Sequence, residues 1–127
     1  MSESGSQANR YLADLEMVHR AFQDLSDRGE PSQGLHQVNI LAKKLEMKLA
    51  AARLAQAEYC FEALNARRDF LEARCAQGRA TSRERDALDW ASGALPANES
   101  TVEELAAELD RHKRELDVLI KSALQAA

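Results

Sequence analysis

The sequence predicts an all-α protein: an elongated antiparallel helical bundle or coiled-coil hairpin of three to four helices with one long central helix. Three observations carry this expectation. Alanine and leucine, both strong helix formers, supply 40 of the 127 residues, 23 and 17 respectively. Aromatic residues are only 5%, with 5 Gly and 2 Pro, too few sheet-forming and turn-forming residues for a β-sandwich. Apolar residues recur at steps of three and four, the spacing that keeps them on one face of a helix. No G-x-G-x-x-G stretch in a βαβ pattern exists, which argues against a dinucleotide-binding fold.

Residues 1–7 are polar and read as a disordered lead; they lack the basic and apolar regions of a secretory signal. The remainder, 8–127, reads as a single helical domain. Its first helix is expected over about 8–27, where Ala8, Tyr11, Leu15, Val18, Phe22 and Leu25 form one seam. Gly29, Pro31 and Gly34 mark the clearest break in the chain. A long helix is expected over about 35–77, roughly 65 Å at 1.5 Å per residue. One seam there runs Ile40, Met47, Ala50, Leu54, Ala57, Phe61, Leu64, Arg68, Leu71 and Cys75. A second carries Val38, Leu41, Leu45, Leu49, Ala52 and Tyr59, so the first half of this helix should touch two neighbours. Gly78 is placed to end it.

Thr81-Ser-Arg-Glu84 has the form of a capping box, in which the threonine oxygen and the glutamate carboxylate satisfy free backbone N–H groups reciprocally. It opens a short helix expected over about 82–92, which Gly93 and Pro96 should end. Overlapping boxes at Ser100–Glu103 and Thr101–Glu104 then predict a fourth helix over about 101–125, with the seam Val102, Leu105, Leu109, His112, Leu116, Leu119 and Ala123. The lengths suggest a long helix along which the last two run back, with the first helix covering only its N-terminal half.

Composition also narrows function. Net charge is -4, from 17 Lys and Arg against 21 Asp and Glu, so no whole-chain attraction to nucleic acid or anionic membrane follows. No apolar run approaches the ~18 residues of a membrane span. Cys60 and Cys75 fall on one helix about 22 Å apart, too far to bridge each other. They read as reduced, buried small hydrophobes in a cytoplasmic protein. Glu16-Met-Val-His19 matches the E-x-x-H of carboxylate-bridged metal bundles, but the seam beside it turns Glu16 to solvent, so no metal is expected. His112, on a seam, is read as a packing or register residue, and a pH switch is the alternative. Neither a nucleophile motif, a P-loop nor a paired Cys/His ligand set occurs. The expectation is a non-enzymatic chain with no cofactor and no small-molecule substrate.

In build the chain is similar to bacterial cytosolic secretion chaperones, adaptors and coiled-coil regulators. That likeness implies a protein–protein interaction module that binds a partner, or itself as a homodimer, by helix packing. The residues expected to anchor it are Tyr59, Phe61, Leu64, Phe70, Leu71 and Trp90. Large rigid side chains dominate interface energies, and here they gather where the fewest helices are expected. The alternative is a nucleic-acid-associated regulator or phage-type scaffold using the basic residues of the long helix: Lys43, Lys44, Lys48, Arg53, Arg67, Arg68, Arg74 and Arg79. Glu58, Glu62, Asp69 and Glu72 interrupt that run, so nucleic acid is the less favoured partner.

Overall fold

The computed structural model describes residues 3–29 and 32–126, with side-chain surroundings defined over 7–29 and 34–125. Among the described residues there are three helices and no strand: α1, Glu3–Asp27; α2, Ser32–Ala76; and α3, Ser82–Ala126. None of these helices is long and apolar enough to cross a membrane. The all-helical class is as the composition predicts. The division into elements differs in three places. α2 begins at Ser32, so Gly34, expected in the break, lies inside the helix. Residues 3–7, expected as a disordered lead, belong to α1, while residues 1–2 lie outside the described part. The helices expected over 82–92 and 101–125 are one continuous helix, so the chain has two 45-residue helices and not a single long one.

Continuity through Gly93 and Pro96 has a local explanation. Proline removes one backbone donor and crowds the preceding turn, at about 3 kcal/mol in a helix interior. Here Pro96 is exposed, and so is Ser92, whose carbonyl loses its amide partner and is left to water. Ala91 and Leu95, buried at 1% and 6% exposure, hold the opposite face of the same turns. Asn98 Nδ2 donates to the Ala94 carbonyl and Thr101 Oγ1 to the Ala97 carbonyl, both at 3.0 Å. Thr101, expected to cap a new helix, instead bonds back onto the preceding turn of the existing one.

The other boundaries follow local chemistry closely. Gly78 takes φ 71°, a left-handed conformation that costs a glycine little. Its N–H bonds the Cys75 carbonyl and the Arg79 N–H bonds the Arg74 carbonyl, both at 3.0 Å, the paired bonds of a Schellman ending. The capping box then opens α3: the Glu84 N–H donates to Thr81 Oγ1 and the Thr81 N–H to Glu84 Oε1, each at 3.1 Å. That backbone bond, opposed by partial burial and reinforced by Arg74, holds the Glu84 carboxyl below its ordinary 4.5. Its contribution is thus in place above pH 4.5 and is lost as pH falls below it. Thr81→Ala is expected to cost about 1 kcal/mol of stability, read as a lower urea midpoint, while Thr81→Ser should retain most of it.

The chain divides into two compact units. Unit 1 comprises Met1–Leu54 and Leu105–Ala127, and unit 2 comprises Ala55–Glu104. Unit 1 therefore joins α1, the first part of α2 and the last part of α3. Its buried side chains are Leu15, Ala42, Leu49, Ala50 and Ala52, joined by Lys43. The α1 seam is read correctly, with Leu15 buried and Tyr11, Val18, Phe22 and Leu25 half-buried. The second α2 seam is interrupted, since Leu41 is 49% exposed. Unit 2 is a two-helix hairpin around Leu71, Ala91 and Leu95. Its inner row on α2 is Ala57, Phe61, Leu64, Arg68, Leu71 and Cys75, all buried or half-buried.

Candidate functional site

Unit 1 holds a polar cluster that the sequence did not disclose. Lys43 is buried, and its ammonium has three hydrogen atoms to place. Nζ donates to Glu46 Oε2 at 3.0 Å and to His112 Nδ1 at 3.0 Å, and also to Glu115 Oε2. Every donor is therefore met, two of them by groups of α3. Because His112 accepts through Nδ1, its own proton sits on Nε2, which faces Glu108 Oε1 at 3.6 Å. Arg111 adds an ion pair to Glu115 at 3.5 Å.

Burial pulls the Lys43 pKa down, but the bonds and charges of Glu115 and Glu46 outweigh it and leave it above 10.5. Glu115 is held below 4.5, chiefly by the Lys43 bond, against partial burial. A lysine kept charged in this way is the opposite of a nucleophilic one, which needs a depressed pKa. The cluster acts as an ionic clasp between α2 and α3. Beside it lies an open groove of about 690 Å³, where Phe22 of α1, Ala42 of α2 and Val118 and Leu119 of α3 form apolar walls. His19 reaches its edge. Glu16, its partner in the E-x-x-H, is exposed. The groups in this clasp left two legible traces: His112 stands on the seam of the last helix, and the α2 seam has no apolar residue between Ile40 and Met47, where Lys43 fills the gap.

Unit 2 contains all six residues expected to anchor a partner, and it separates them. Tyr59 and Phe70 are 65% and 56% exposed on α2, and Trp90 is 70% exposed on α3. Phe61 and Leu64 are half-buried in the hairpin seam. Leu71 is a correction: at 1% exposure it is a core residue with no surface to offer. Tyr59 and Phe70 are eleven residues apart, three helical turns, so they stand one above the other about 16 Å apart. Ala63, Ala66 and Ala73 lie on the same face and are exposed. The Arg74 guanidinium sits 5.9 Å from the Phe70 ring centroid and fixes its near side.

The basic residues of α2 do not form a stripe. Lys43 points inward, and Arg68 and Arg74 are half-buried. Arg74 Nε lies 2.7 Å from Glu84 Oε2, at an angle unsuited to a hydrogen bond, and Arg68 contacts Asp69 at 3.2 Å. Lys44, Lys48, Arg53, Arg67 and Arg79 remain exposed. Cys60, expected to be buried, is exposed, and Cys75 is half-buried in the seam.

Compared with protein families, characterised proteins and solved structures, the chain matches none.

Proposed function

We propose that this chain is a non-enzymatic protein–protein interaction module, of adaptor, chaperone or regulator type, that works by packing a helix onto unit 2. The observation that supports it is the exposed face of α2, where Tyr59 and Phe70 stand on one line with only alanines between them. The chain has six aromatic residues, and it leaves three of them, Tyr59, Phe70 and Trp90, more than half exposed. A folded chain gains little in stability from that placement. An incoming helix gains two rigid anchors with a shallow alanine groove between them, the geometry of helix-in-groove recognition.

The test is recovery of bound proteins from the source cell, with the wild-type chain and Phe70→Glu as baits. A dominant partner should be held by the wild type and lost from the variant. Phe70 is exposed, so the variant's stability should stay within about 0.5 kcal/mol of wild type. Equal recovery with both baits would refute the assignment of this face.

A further inference from the structure

The exposed face of α2 in unit 2 has a heptad register of its own. Tyr59, Ala63, Ala66, Phe70 and Ala73 follow steps of four and three, and all are exposed. They lie on the side opposite the hairpin seam of Ala57, Phe61, Leu64, Arg68, Leu71 and Cys75. One helix therefore carries two core-type rows, one packed on α3 and one without a neighbour among the described residues.

The rows flanking the free face differ in sign. One side carries Arg53, Cys60, Arg67 and Arg74; the other carries Ala55, Glu62, Asp69 and Ala76. Two parallel helices in register bring each flank against the opposite flank of the partner, five residues further on. That places Glu62 against Arg67 of a second copy, and Asp69 against Arg74. Antiparallel pairing places like flank on like flank, so the acidic rows would face each other. Arg74 and Asp69 already have partners within the chain, Glu84 and Arg68. Glu62 and Arg67 are exposed and make no ion pair among the described residues, and a two-fold axis would pair them twice.

From this charge pattern we infer that the free face of α2 binds a second copy of the same chain, parallel and in register. The inference rests on the proposed interaction role and specifies its occupant. Tyr59 then meets Tyr59 and Phe70 meets Phe70 across the axis, with Ala63 and Ala66 allowing the helices to approach closely between them. A contact of two heptads is smaller than a standard interface, so the association is weak and concentration-dependent.

Sedimentation of the full chain over about 10–300 µM reads the equilibrium directly. The expected result is a monomer–dimer equilibrium shifted to monomer by Glu62→Arg alone and by Arg67→Glu alone, and restored when both are combined. Orientation is read by oxidising Ala66→Cys in a Cys60→Ser, Cys75→Ser background. A parallel register joins identical sites and gives a covalent dimer. Preferential mixed cross-linking between Ala63→Cys and Ala66→Cys chains would show the antiparallel arrangement and overturn the inference. A monomer at every concentration would also overturn it. In that case, loss of an unlike partner in Phe70→Glu would leave the broader interaction role standing.

Discussion

Leu71→Ala is expected to lower the stability of unit 2 by about 3 kcal/mol, the middle of the range for truncating a fully buried leucine. Leu71 is 1% exposed and is, among the described residues, the largest side chain so completely enclosed. Its surroundings offer little repair. Unit 2 has two helices, and its other buried side chains are Ala91 and Leu95, so no third element can move in to fill the space. A urea titration should show a lower midpoint with an unchanged slope, and amide exchange over 55–104 should accelerate more than in the remainder of the chain. Phe70→Ala, one residue away on the exposed face, is the control and should change stability by no more than about 0.5 kcal/mol. A loss below about 1 kcal/mol for Leu71→Ala would mean that the hairpin core has been misidentified.

The contrast between Phe70 and Leu71 also shows what sequence could and could not reveal. The seam of α1, Tyr11 to Phe22, was legible because steps of three and four leave one assignment of inside and outside. Gly78 and the Thr81–Glu84 box were legible because each solves a local problem, the unpaired groups at a helix end. The six candidate anchors share a region of the chain but not an angle around the helix. Angle separates them: Phe61, Leu64 and Leu71 turn toward α3, while Tyr59 and Phe70 turn away. Gly93 and Pro96 misled for a different reason. Propensity charges a helix about 1 kcal/mol for glycine and about 3 for proline, yet burial of Ala91 and Leu95 on the other face of those turns outweighs it. Which face a proline occupies depends on the partner helix, and a single sequence does not contain that. Lys43 was hidden because a basic residue in a charged helix is read as solvated by default; only the missing apolar residue between Ile40 and Met47 pointed inward.

Lys43→Met should cost about 2–3 kcal/mol, near the lower limit for breaking a buried ion pair because Glu115 remains partly exposed. Methionine keeps the length and apolar stem of lysine, so the loss reports the charge and not a cavity. Without the ammonium, Glu46 Oε2 and the Glu115 carboxylate face each other across the α2–α3 contact with no cation between them, and His112 Nδ1 loses its donor. The pH dependence identifies the cause. In the wild type, Glu115 is held below 4.5, so its contribution exists above that value and fades as pH falls below it. Lys43 is held above 10.5, so its contribution exists below that value and fades as pH rises through the raised pKa. Between the two limits the Lys43–Glu115 pair is intact and its own contribution should not vary. In Lys43→Met the Glu115 carboxylate loses the bond that holds it below 4.5, so the acid-side loss expected of the wild type should shrink in the variant. Lys43→Met/Glu115→Gln should regain part of the lost stability, because a neutral amide no longer faces Glu46 as a second uncompensated charge. Thermal unfolding of the three proteins at neutral pH measures this. A deficit that Glu115→Gln leaves unchanged would show that Lys43 contributes through packing alone.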